Sequence, residues 1–144
     1  MILRLTVLLF IALLCGCTGA PAGWDRVNAD DFEAAIASNP DGFLLDVRTE
    51  SEWRDDGYLD GATLVPHSEL QDREDELPED KDAAILLYCR SGNRSQQAAE
   101  TLQDMGFTRI IELESGIKGW KDAGKGVAYD CTGLLRILHQ KFPN

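Results

Sequence analysis

Between residues 24 and 127, short apolar runs alternate with segments whose apolar residues recur at helical spacing. The runs "WDRV", "GFLLDV", "ATLVP", "AAILLYC" and "RIIELE" predict five strands. "DDFEAAIAS" predicts a helix that Asn28 or Asp30 can cap and that Asn39-Pro40 ends. "TESEWRD" opens on the capping-box spacing Thr49-x-x-Glu52 and predicts a short helix. "SELQDREDEL" is a polar, acidic helix or turn. "RSQQAAETLQDM" puts Ala98, Leu102 and Met105 on one helical face, with Gly106 just past the end. "GIKGWKDAG" predicts another short helix. Near-continuous apolar strands are buried on both faces. Their alternation with helices predicts an α/β fold, a parallel five-stranded sheet flanked by helices on both faces, with "AAILLYC" at its centre.

The two ends follow other patterns. "MILRLTVLLFIALLCGC" has one basic residue, Arg4, then an apolar stretch from Leu5 to Leu14. A membrane span needs about 20 apolar residues; this stretch has the length of a signal-peptide core. It resembles a bacterial lipoprotein signal, with Leu14 at −3, Gly16 at −1 and Cys17 as the lipidated residue. Cys15 fits that motif poorly, because bulky Leu14 would stand at −1. The expected organisation is a signal peptide at 1–16, a tether at 17–23, a domain at 24–127 and an extension at 128–144. In the extension, Leu134, Leu135, Leu138 and Phe142 lie at the spacing of an amphipathic helix that docks on the domain. The expected location is the cell envelope, with a lipid on Cys17 holding the chain to a membrane and the domain facing periplasm or exterior. Thr18 rather than Asp after Cys17 favours an outer membrane.

The chain of 144 residues is long enough for one domain with a core of its own. Its net charge of −11 argues against nucleic acid as a partner. An anionic small molecule is still allowed, since local arginines act within a screening length of ~8–10 Å. Of four cysteines, lipidation and cleavage leave Cys89 and Cys131 in the mature chain, as a disulfide or two thiols. Two histidines and no Cys-x-x-Cys give no basis for a metal site, and no cofactor motif is present. Nothing in the pattern calls for more than a monomer. The segment from Glu69 to Asp82 carries eight carboxylates against two basic residues and reads as a solvated face.

The chemistry concentrates at "LLYCRSGNRSQQAAETL". Cys89 ends the most apolar strand, at the edge where ligands bind in open α/β sheets. Arg90, Ser91, Gly92, Asn93, Arg94 and Ser95 then lead into a helix N-terminus. Such a turn can aim backbone N–H groups inward, and the helix dipole and two arginines add positive potential. That setting favours a thiolate, the nucleophilic form. Gly92 suits a tight turn with positive φ.

Three blocks in order give the segment from about Trp24 to Val127 a resemblance to the rhodanese domain family. The first is "DVRTESEWRDDGYLDGATLVP", where Asp46, Val47, Arg48, Glu52, Trp53, Gly57, Gly61, Ala62 and Pro66 match; Tyr58 stands where the family usually has His. The second is "CRSGNRS", with Cys89, Arg94 and Ser95 matching. The third is "SGIKGWKDAGKGV", with Gly116, Gly119, Trp120 and Gly124. The resemblance implies a sulfurtransferase of rhodanese-like fold. In it Cys89 takes sulfane sulfur from a small anionic donor such as thiosulfate and carries it as a persulfide. Cyanide, a thiol or a protein acceptor then removes the sulfur. The 90–95 loop would cradle the persulfide, with Arg94 the arginine nearer the anion. Asp46 and Arg48 would support the loop, and Trp120 would anchor the core. A rival is a persulfide carrier or binding module with little turnover alone. A phosphatase or arsenate reductase fits less well. Related phosphatases place five residues between cysteine and arginine, and here there are four, Arg90 to Asn93.

Overall fold

The computed structural model describes residues 23–130. Cys15, Cys17, Cys131 and the expected signal peptide lie outside them, as do the expected tether before residue 23 and nearly all of the expected C-terminal extension. Five parallel strands form one sheet: β1 (Asp25–Val27), β2 (Phe43–Asp46), β3 (Thr63–Leu64), β4 (Ala84–Tyr88) and β5 (Arg109–Leu113). Their order is β1-β5-β4-β2-β3, so β4 is central, and every residue of β4 is buried. The helices are α1 (Ala29–Ser38), α2 (Glu50–Asp56), α3 (Asn93–Asp104) and α4 (Gly116–Asp122).

The pleat of the sheet divides the core. Leu45, Ile85, Leu87, Cys89 and Ile110 point to one face, where Ala98, Ala99 and Leu102 of α3 cover them with Leu70 and Leu77. Leu44, Leu86, Tyr88 and Leu113 point to the other, covered by Phe32 of α1 and by Ile117 and Trp120 of α4. Trp120 meets Phe32 edge-to-face at 6.4 Å and donates its indole N–H to the Gly126 carbonyl at 2.8 Å, so it anchors the core.

The local signals behave as chemistry dictates. Asn28 caps α1 through the Asp30 and Asp31 amides. Thr49 and Glu52 form the reciprocal capping box of α2. The acidic segment forms two short 3-10 turns, His67–Glu69 and Glu74–Glu76. Its two cations are used within it, Arg73 by Glu69 and Glu76 and Lys81 by Glu74. Ala128 and Tyr58 exchange backbone hydrogen bonds of 2.7 and 2.9 Å in an antiparallel bridge.

Candidate active site

Cys89 follows β4 directly, on the face that carries Ile85 and Leu87, and its side chain is 1% exposed. The following loop is held from behind by α4. The amides of Ile117 and Lys118 donate to the carbonyls of Cys89 and Arg90 at 2.9 and 3.2 Å. In a planar trans peptide the N–H opposes the C=O. With both carbonyls turned to α4, the N–H groups of Arg90 and Ser91 point away from it. The next amide, Gly92 N–H, donates to Cys89 Sγ at 3.1 Å.

Two glycines permit this close approach. Gly92 has φ +94°, and a Cβ there would lie 2.0 Å from the Glu114 carbonyl oxygen. Gly116 has φ +60°, and its Cβ would lie 2.5 Å from the backbone of Arg90 and Ser91. The loop and the β5–α4 turn therefore touch backbone to backbone. Gly92 also starts α3 without a side-chain cap, so the positive end of that helix adjoins the cysteine.

The predicted site residues take distinct places. Ser95 is buried, and its Oγ lies 3.4 Å from Cys89 Sγ. Arg90, Ser91 and Asn93 are exposed on the outer rim. Arg94 turns to α2, where its two terminal nitrogens meet the two oxygens of Glu52 at 2.6 and 2.7 Å. Glu52 raises the Arg94 pKa most, and the charges of Cys89 and Asp46 add to it. The same Arg94 hydrogen bond, with further bonds from Thr49, holds the Glu52 carboxyl at about 2 instead of the usual 4.5. Asp46 and Arg48 lie together at the end of β2, both fully buried, with Arg48 bonded to Asp46 at 2.6–3.0 Å and to the Gly57 carbonyl at 2.7 Å. This pair ties the end of β2 to the turn after α2. Among the described residues, no group of three or more His, Cys, Asp or Glu side chains converges to hold a metal ion.

The rhodanese-like domain family matches residues 28–123, two-thirds of the chain. The chain belongs to the rhodanese-like domain family. The match contains both the strand end that carries Asp46 and Arg48 and the whole cysteine loop. A sulfurtransferase of Allochromatium vinosum is 32% identical over 100 residues, 69% of this chain and 91% of that protein. The putative sulfur carrier protein YrkF of Bacillus subtilis is 30% identical over 95 residues, 66% of this chain and half of that one. A rhodanese-related protein from Thermoplasma volcanium superposes with a TM-score of 0.65 at 30% identity, covering 74% of this chain and all of that one.

Two features of this rhodanese-like site escape a reading of the sequence. Glu52 is legible as a helix cap, but its grip on Arg94 spans 42 positions. Glu112 is a carboxylate in an apolar strand, and it is completely buried. Its signal was its parity. It stands two residues after inward-facing Ile110 and so must point into the same face.

Proposed function

We propose that this domain is a sulfurtransferase working by double displacement. The Cys89 thiolate attacks the sulfane sulfur of an anionic donor such as thiosulfate. The new S–S bond forms as the donor's S–S bond breaks, and sulfite leaves with the electron pair. Cyanide or a thiol then attacks the terminal sulfur of the Cys89 persulfide, returning the thiolate. The observation that carries this reading is the Gly92 N–H aimed at Cys89 Sγ, at the mouth of α3, in a loop closed after four residues. Directed amides and a helix N-terminus stabilise negative charge on sulfur at both stages. The family and the Allochromatium sulfurtransferase support sulfur transfer as the general chemistry.

The test is the mass of the full chain after incubation with thiosulfate, and again after cyanide. A gain of one sulfur on the peptide containing Cys89, removed by cyanide with thiocyanate released, is the expected result. No gain on a free Cys89 thiol rejects thiosulfate as donor. That result moves the reading to a persulfide carrier fed by a protein, which YrkF's description as a putative sulfur carrier favours. Either way the exposed rim of Arg90, Ser91 and Asn93 is where an acceptor would approach.

For location we propose anchoring by a lipid on Cys17. Among the described residues no helix is long and apolar enough to cross a membrane. Incorporation of labelled fatty acid in a bacterial host, lost in Cys17→Ser, is the expected outcome; label retained in that variant rejects it.

A further inference from the structure

Behind Cys89 runs a line of buried polar contacts that the sulfur-transfer reading does not use. Cys89 Sγ lies 3.4 Å from Ser95 Oγ, and Ser95 Oγ lies 2.6 Å from Glu112 Oε1. The other oxygen, Glu112 Oε2, accepts from Trp24 Nε1 and from Arg26 Nε, both at 2.7 Å. Ser95 and Glu112 are both 0% exposed. Arg26 and Glu112 are partners in the β1–β5 register, and Leu87, two residues before Cys89, is the partner of Glu112 on β4. The sheet itself therefore sets these groups side by side.

A serine hydroxyl has one proton to give. At 2.6 Å its contact with the carboxylate has the length of a charge-assisted O–H···O⁻ bond, whereas the contact with sulfur is longer. The proton of Ser95 therefore goes to Glu112, and only lone pairs face Cys89. We propose that Glu112 is a positioning residue that acts through Ser95. It holds the hydroxyl as an acceptor toward Cys89 Sγ, so that the backbone amides and not Ser95 stabilise negative charge on the sulfur.

Other charged groups stand on the neighbouring elements, among them Glu114 and Lys118, whose backbones touch the loop from the β5–α4 turn and α4. Arg94 of the loop is paired with Glu52 of α2, and the Asp46–Arg48 pair stands at the end of β2, where Asp46 is the register partner of Tyr88. The Tyr88 hydroxyl accepts from Leu59 N–H on the opposite face of the sheet. On β1, the Arg26 side chain is 41% exposed. A change at 112 acts on sulfur by two routes, through the hydroxyl and through the field of its charge, and the test must separate them.

Glu112→Gln supplies the separation. The two donors of Trp24 and Arg26 dictate that the glutamine oxygen faces them, which turns its NH2 to Ser95 Oγ. Ser95 must then accept from the amide and point its proton at Cys89. The probe is iodoacetamide with the full-length chain, followed by mass on the peptide containing Cys89, across about pH 5 to 9, because alkylation reads the thiolate. One hydrogen bond gained in place of one lost should speed alkylation on the low-pH side by about three- to tenfold. Ser95→Ala, which removes the acceptor, should also speed it, and Glu112→Gln added to Ser95→Ala should have little further effect. An equal effect of Glu112→Gln in both backgrounds overturns the proposal in favour of a field effect. Slower alkylation in Ser95→Ala overturns it outright, since that is the sign of a donor serine. If Glu112→Gln does not fold, the sign of the Ser95→Ala effect decides alone. The inference rests on Cys89 as the reacting group, but alkylation needs no sulfur donor. It therefore succeeds or fails independently of the sulfur-transfer reading.

Discussion

Glu52 and Arg94 meet through two parallel contacts of 2.6 and 2.7 Å, and Glu52 is at the same time the reciprocal partner of Thr49 in the α2 capping box. One carboxylate thus ends a helix on one side and aligns an arginine of the cysteine loop on the other. Two of the five N–H donors of Arg94 are committed there, which fixes its plane and leaves donors for an anion.

Acid should report on this pair. The Arg94 hydrogen bond depresses Glu52 to about 2 in the folded protein, from 4.5. A depressed carboxyl contributes its full stability above the unfolded value. It loses that contribution as pH falls from about 4.5 toward about 2. Glu52→Gln is expected to be less stable than the parent at neutral pH and to show a flatter decline across that window. Urea unfolding at a series of pH values measures it; parallel declines for the two proteins would show the pair contributes nothing.

The buried Asp46–Arg48 pair makes a different prediction. Arg48→Met strands Asp46 as an unpaired buried charge, which should cost about 3–5 kcal/mol. Removing both charges, in Asp46→Asn with Arg48→Met, should cost less than the sum of the single changes, because neither leaves the other unpaired. Denaturant midpoints of the three variants and the parent form the test, and strict additivity would contradict the pairing.

Glycine positions separate strain from collision. Gly61 has φ +81° with nothing within 4 Å of a Cβ, so Gly61→Ala should cost only the left-handed conformation, about 1–2 kcal/mol. Gly92→Ala adds a Cβ 2.0 Å from the Glu114 carbonyl, so the loop must move off the β5–α4 turn. Its stability loss should exceed that of Gly61→Ala, and Cys89 should form persulfide far more slowly as the Gly92 amide leaves the sulfur. Equal losses in the two variants would contradict the close contact.

Tyr58 stands where the family usually has histidine. It stacks on Trp53 with ring centroids 3.8 Å apart and planes within 5°. Tyr58→Ala should lower stability by the stacking energy of about 0.5–1.5 kcal/mol plus the lost burial. Persulfide formation at Cys89 should be unchanged, because Tyr58 stacks on Trp53 and its backbone bridges to Ala128, neither of them in the 90–95 loop. A thermal melt and the thiosulfate mass assay on the same sample check both halves.

The sequence by itself determined what depends on neighbours along the chain. Apolar runs such as "AAILLYC" became strands because nothing else in the fold can bury them on both faces. Asn28, and Thr49 with Glu52, capped their helices because those bonds close within three residues. The spacing from Cys89 to Arg94 and the fitness of Gly92 for a tight turn of positive φ were equally local. What only the tertiary structure decided were contacts between residues far apart in sequence. Arg94, read as the arginine nearer an anion, is shared with Glu52. Glu112, which looked like one charge in an apolar strand, sits behind Ser95 with Trp24 and Arg26, contacts that span 17 to 88 positions. Periodicity tells which face a side chain takes, but not which strand will lie alongside. The order β1-β5-β4-β2-β3 is what brings the first strand beside the last and sets their polar groups behind the cysteine.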